Sequence, residues 1–305
     1  MRERIKKMTN IHIEAENLLN KNYVNLNGKA KEFSKYDFCY YTSASTLNKI
    51  LNTGKIWINS FDRMNDLNEA ELHSNDKSDV FALCFCNTHS EKIPMWYLYG
   101  GICGDGMRIG LTPSNMLSFI RSIDKVYPID ENNVVSAVPI AVGEELTVSC
   151  GWIYYKKTDG LIKYKNSWYA VDNYGDFEKS NYYIKDYPWE YENEFRIVIK
   201  NNSSRQIERI AVDVPEFIIQ KLKITCAPEN SNFESIKLIK ELEGFRKYPN
   251  NKITHSTLSI KMNLLSRNKE SIVDNFKEII DEKNADKIYN ALRSTKYCKM
   301  EAQEE

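Results

Sequence analysis

Several common signatures are missing from this sequence, and each absence narrows the field. Net charge is missing: 42 Lys+Arg balance 42 Asp+Glu, which gives no electrostatic reason to expect a general binder of nucleic acid or anionic membrane. No apolar run approaches the length of a membrane-spanning helix. The segment MRERIKKMTNIHIEAENLL is charged and lacks the apolar stretch of a secretory signal. No CxxC pair occurs among the seven cysteines, and His12, His73, His89 and His255 are scattered, so no metal site is expected. The expectation is a cytoplasmic chain with reduced thiols and no contact with membrane. Nucleotide-loop and hydrolase signatures are missing as well. The GDG at 104–106 lacks the spacing GxxxxGK(S/T), and the sequence holds no GxGxxG, GxSxG or HExxH. Cys39, Cys84 and Cys103 have no base partner in the sequence, which leaves little basis for a cysteine nucleophile.

What is present is an ordinary globular composition, 42% hydrophobic and 28% charged over 305 residues, enough chain for a sizeable core without staples. The stretch FCYYTSASTLNKILNTGKIWIN (38–59) reads as a strand, a short helix and a second strand. Ser45 is placed as the helix N-cap, Leu47, Ile50 and Leu51 form its apolar stripe, and Gly54 sits where a left-handed C-cap belongs. VFALCFC (80–86) is a continuous apolar run of strand length, as expected of a buried strand. PMWYLYGG (94–101) and PSNMLSFIRSI (113–123) read as helices opened by proline. Further strands are predicted over 136–142, 146–155, 189–200, 207–214 and 222–228, with a helix from Pro215. Ser231 and Glu234 make a capping box for a helix closed by Gly244. Residues 268–295 are predicted helical, with Ile272, Phe276, Ile279 and Ile280 on one face. Strands and helices without regular βαβ alternation predict an α+β fold. The organisation expected is an N-terminal helical extension (1–35), an α+β core (36–265) and a C-terminal helical tail (266–305).

Four constellations can carry chemistry. In WEYENEFRIVIK, strand alternation puts Phe195, Ile197 and Ile199 on one face and Glu192, Glu194 and Arg196 on the other. Taken alone, the second face reads as a solvated, salt-bridged ladder. The alternative is two carboxylates at the edge of a cleft, kept ionised by Arg196 and walled by Trp189. Tyr40-Tyr41-Thr42-Ser43 ends a strand in phenols and hydroxyls, which either pack and cap the next helix or hydrogen-bond a ribose or amide. Trp96, Tyr97 and Tyr99 on a short helix are either core or a stacking surface for a flat, cationic heterocycle. Asn65 and Asp66, with Glu69, are turn chemistry on their own.

In order, these pieces resemble a bacterial family of uncharacterised domains. Its pattern runs from a strand with HYT through a helix, LNDPxE, a CFS strand, WxxY and GxxIG to a late ExExR. Here the matching residues are Tyr40-Tyr41-Thr42, Met64-Asn65-Asp66-Leu67-Asn68-Glu69, Cys84-Phe85-Cys86, Trp96-Tyr97-Leu98-Tyr99, Gly106-Met107-Arg108-Ile109-Gly110 and Glu192-Asn193-Glu194-Phe195-Arg196. The match covers roughly 36–265. Tyr40 stands where the family usually has His, and Leu67 where it has Pro. That family is in turn similar to the ADP-ribosyltransferase superfamily.

The resemblance implies mainly antiparallel sheets forming a split cleft flanked by helices, with NAD as substrate. It implies transfer of ADP-ribose to a macromolecular acceptor, protein or nucleic acid, in the setting of a toxin or phage-defence effector, or hydrolysis of NAD by water. Breaking the nicotinamide–ribose bond develops an oxocarbenium-like cation that a carboxylate stabilises. The resemblance gives that role to Glu194, the orientation of the acceptor to Glu192, stacking on nicotinamide to Trp96, Tyr97 or Tyr99, and the ribose to Tyr40, Tyr41 and Thr42, with Asn65 and Asp66 in the binding loop. A non-catalytic nucleotide- or protein-binding module of the same fold, with the 268–295 helix as a docking element for a partner protein, is the rival. A nucleic-acid binder built on the Lys-rich stretch 152–166 is the third reading.

Overall fold

A computed structural model describes residues 12–13, 34–64, 79–100, 106–143, 145–157, 161–164, 167–171, 182–203, 205–228 and 233–258. In chain order the elements are β1 (His12–Ile13), β2 (Phe38–Ser43), α1 (Ala44–Thr53), β3 (Lys55–Asn59), β4 (Val80–Asn87), α2 (Ile93–Tyr99), β5 (Gly106–Leu111), α3 (Pro113–Arg121), β6 (Lys125–Ile129), β7 (Ile140–Ala141), β8 (Leu146–Trp152), β9 (Tyr154–Lys156), β10 (Leu161–Tyr164), β11 (Ser167–Val171), β12 (Ile184–Asp186), β13 (Glu194–Asn201), β14 (Arg209–Asp213), α4 (Glu216–Ile219), β15 (Lys223–Cys226), α5 (Phe233–Lys240), α6 (Glu243–Lys247) and β16 (Ile253–Thr254). Short 3₁₀ turns span Phe61–Arg63 and Tyr187–Glu192. The fold is α+β, with open sheets paired mainly antiparallel. Within the predicted N-terminal helical extension (1–35), His12–Ile13 form the strand β1 and 34–35 are not helical; residues 1–11 and 14–33, and the predicted helix over 268–295, lie outside the described residues.

The chain builds two compact units and passes between them repeatedly. The first draws on the chain up to Cys39, on Gly54–His89 and on Leu111–Ile218; the second on Tyr40–Thr53, Ser90–Gly110 and the chain from Ile219.

In the first unit, β13 runs antiparallel between β4 and β8. Phe195, Ile197 and Ile199 are fully buried on one face, as alternation predicts, and Val198 is buried on the opposite face. A strand covered on both sides has no reason to alternate apolar with polar, which accounts for the unbroken VFALCFC of β4. Phe38 and Cys39, the first residues of β2, join the ladder opposite Asn87 and Cys86. After Trp152 the chain turns through Ile153, whose N–H donates to the Glu194 carbonyl at 3.0 Å, and enters β9 of a second sheet ordered β1-β11-β10-β9-β12. Tyr154, Tyr155, Tyr183 and Ile184 from that sheet pack with Phe61, Val80 and Val198 in one apolar cluster. A third sheet, β3-β14-β6-β7, completes the unit's strands. Helix α3 starts where Pro113 predicts, with the Thr112 hydroxyl accepting from the Asn115 N–H at 3.2 Å.

In the second unit β15 pairs antiparallel with β5 and parallel with β16. Two expectations are corrected here. The α1 N-cap is Ser43 rather than Ser45: its hydroxyl accepts from the Thr46 N–H at 3.1 Å, so the helix starts at Ala44. The preference for a short hydroxyl side chain at the cap is satisfied two residues earlier than predicted, at the last residue of the strand. Gly244 does not close α5, which ends at Lys240, but lies inside α6. It is glycine for lack of room, since a Cβ there would sit 2.6 Å from the Asn48 carbonyl oxygen and 2.7 Å from Leu51 Cβ on α1. The Gly244 N–H donates to Asn48 Oδ1 at 2.8 Å, fastening α6 to α1. Gly54 does end α1 as predicted, at φ +66.

Candidate functional site

The predicted charge ladder is where the structure departs furthest from the simplest reading of the sequence. Glu192, Glu194 and Arg196 do not face solvent: their exposures are 2%, 2% and 0%. Glu194 and Arg196 share a face of β13 as alternation requires. Glu192 is not on the strand. It closes the 3₁₀ turn Tyr187–Glu192, and Asn193 follows at φ 42 in the left-handed region, breaking the period between the two carboxylates.

A fourth charge holds the three together. Lys185 on β12, 5% exposed, donates to Glu192 Oε2 at 2.6 Å and stands 2.8 Å from Glu194 Oε2. Arg196 Nε donates to Glu194 Oε1 at 2.6 Å, and Arg196 Nη1 donates to the Tyr182 carbonyl at 2.6 Å. The quartet contains two cations and two anions, and both Glu194 oxygens face a cation. Burial by itself would raise the Glu194 pKa, but Arg196 and then Lys185 outweigh it and hold the carboxyl well below the usual carboxylate range.

The surroundings are aromatic. The Glu194 N–H donates to the Tyr155 hydroxyl at 2.8 Å, and burial, reinforced by the Glu194 charge, pushes that phenol well up. The Arg196 guanidinium lies 5.2 Å from the Phe61 ring centroid, and the Lys185 ammonium 5.3 Å from that of Trp189. Cys84, paired with Arg196 across β4 and β13, has its thiol pushed well up by burial and by the Glu194 charge. Sequence reasoning missed Lys185 and Tyr155. A single lysine within the apolar and aromatic stretch YYIKDYPW is the signal that was there to find.

The aromatic and hydroxyl residues named from the sequence fall in the second unit. Trp96 and Tyr41 are buried and meet edge to face, ring centroids 4.8 Å apart at 83°. Thr42 is buried, whereas Tyr40, Tyr97 and Tyr99 are half-buried. Glu91, unremarked in the sequence, is the polar centre of this unit. Its Oε2 accepts from Trp96 Nε1 at 3.1 Å and from the Ser256 hydroxyl at 2.6 Å. Its Oε1 accepts from the Thr257 N–H and hydroxyl at 2.8 and 2.9 Å. Asn65 and Asp66 lie outside the described residues.

The lysines of 152–166 are largely engaged. Lys156 pairs with Asp186 at 3.3 Å and Lys163 with Glu190, while Lys157 lies over the Tyr187 ring. Among the described residues, no group of three or more His, Cys, Asp or Glu is arranged to hold a metal ion, and no helix is long and apolar enough to cross a membrane. No protein-family model matches the sequence, and no curated protein matches it either.

Proposed function

We propose that this chain is a non-catalytic module that binds a nucleotide of the NAD class and leaves it intact, with the Lys185–Glu192–Glu194–Arg196 quartet serving as an internal brace. One observation carries this reading: Glu194 is 2% exposed with a cation on each oxygen. A carboxylate this deeply buried, with a cation against each oxygen, is not presented to a ribose hydroxyl, whereas stabilising an oxocarbenium ion needs contact with the reacting centre. The choice of ligand rests on the family resemblance and on the three half-buried phenols Tyr40, Tyr97 and Tyr99 of the second unit. Tyr40 in the position of the family's usual His agrees with loss of turnover.

A second reading keeps the enzyme. Transfer of ADP-ribose from NAD to a macromolecule, or hydrolysis of NAD, is favoured by the order of the motifs and by Glu194 being held ionised in the first unit. It requires Lys185 to part from Glu194 when substrate arrives.

The experiment is direct. Purified protein is titrated with NAD and ADP-ribose by calorimetry, then incubated with NAD and cell lysate while nicotinamide release is followed. Binding without release supports the module. Release by wild type, lost in a Glu194→Gln variant that is folded by circular dichroism, establishes the enzyme. Neither binding nor release overturns both.

A further inference from the structure

We propose that Cys39 and Cys86 form an oxidisable dithiol, which closes to a cross-strand disulfide when the protein meets a peroxide. The two residues are direct partners in the antiparallel pairing of β2 with β4, and both are thiols in this structure. Directly opposed residues point to the same face of the sheet, and their Cα atoms stand about 4.5–5.5 Å apart. A disulfide needs Cα atoms roughly 4.4–6.8 Å apart, so the bond forms with no change of strand register.

The pair also sits where the ladder ends. Cys39 is the second residue of β2 and Cys86 the second-last of β4, with Phe38 and Asn87 the pair beyond them. The Asn87 amide holds the incoming chain, donating to the Tyr36 and Asp37 carbonyls at 3.0 and 3.2 Å. Cys39 and Cys86 are 5% and 2% exposed. A small oxidant therefore reaches them through fraying of this terminal pair, a fluctuation that leaves the interior of β4 and β13 intact.

The chemistry balances with hydrogen peroxide. One thiolate attacks the O–O bond, giving a sulfenic acid and one water. The second thiolate then attacks that sulfur, forming S–S and expelling the second water. Two thiols lose two electrons, the peroxide gains them, and the chain ends two hydrogens lighter. Cys84 lies two residues along β4 on the same face, but it does not compete. Its Cα is displaced along the strand from that of Cys39, whose register partner is Cys86.

The test treats the full chain with hydrogen peroxide, blocks remaining thiols with iodoacetamide, digests with trypsin and maps cross-linked peptides by mass spectrometry. A Cys39 peptide joined to the Cys86 peptide is expected in wild type and in Cys84→Ser, and is expected to vanish in Cys86→Ser. Alkylation of both Cys39 and Cys86 after peroxide overturns the proposal. So does a link that disappears in Cys84→Ser. Circular dichroism of each variant before oxidation separates loss of the link from loss of the fold.

Discussion

Glu194 Oε1 accepts a hydrogen bond from Arg196 Nε at 2.6 Å, two residues apart on one strand and both out of reach of water. A buried ion pair costs desolvation that its attraction only partly offsets, so its presence is weak evidence of stability, but breaking it from one side is expensive. Glu194→Gln leaves Arg196 facing a neutral amide, with its charge still buried. The expected loss is about 3 kcal/mol, read as a lowered urea midpoint with unchanged slope. Glu192→Gln costs less, because Lys185 keeps Glu194 as its counter-charge.

Acid should act through the same carboxylate. Its folded pKa is depressed from the ordinary 4.5 by Arg196 and Lys185, against the opposing effect of burial. Protonation therefore costs the folded state more than the unfolded chain. The stability Glu194 contributes is complete above about pH 5 and is lost as pH falls below 4.5 toward the depressed value. Chemical denaturation from pH 6 to pH 3 should show this slope in wild type and a shallower one in Glu194→Gln.

Glu91 ties Trp96 of α2 to Ser256 and Thr257 through four hydrogen bonds. Glu91→Ala removes the acceptor common to them all and leaves the indole N–H of a buried tryptophan without it. The loss should be about 1–3 kcal/mol. Hydrogen exchange should speed up at the Thr257 amide while β13 amides exchange as before.

Gly244→Ala puts a methyl group into the Asn48 backbone, which cannot yield as a flexible side-chain tip would. Either α6 moves away from α1 or the strain remains. A cost of about 1–3 kcal/mol follows, measured as a lowered Tm.

Much of the fold can be read directly from the sequence, because local chemistry decides it. The apolar run of β4, the alternation of Phe195, Ile197 and Ile199, the proline opening α3 and the left-handed Gly54 each need only near neighbours to specify them. What escaped the sequence depends on residues far apart in the chain. Two carboxylates and an arginine look like surface until Lys185 and Tyr155 are brought over them from another sheet. Glu192 looks like a strand residue until Asn193 turns left-handed. Glu91 gains its importance only when Ser256 and Thr257 arrive from far along the chain. Gly244 passes for a helix terminator because a cap and a close approach both call for glycine. The candidate site was thus legible as a set of residues but not in its state: their pairing was visible, and their burial was not.

The repeated passage of the chain between its two units also bears on how the protein is made. A polypeptide leaving the ribosome has supplied segments of both units by Gly110 yet completed neither. The second unit must wait for β15 and β16, while α1 and α2 have long since emerged. Synthesis of such a chain leaves apolar surface uncovered for most of translation. Expression at low temperature or with added holdase chaperones should therefore raise the soluble yield, whereas cutting the gene within Ser90–Gly110, which divides both units, should leave two fragments that precipitate apart and recover only when co-expressed.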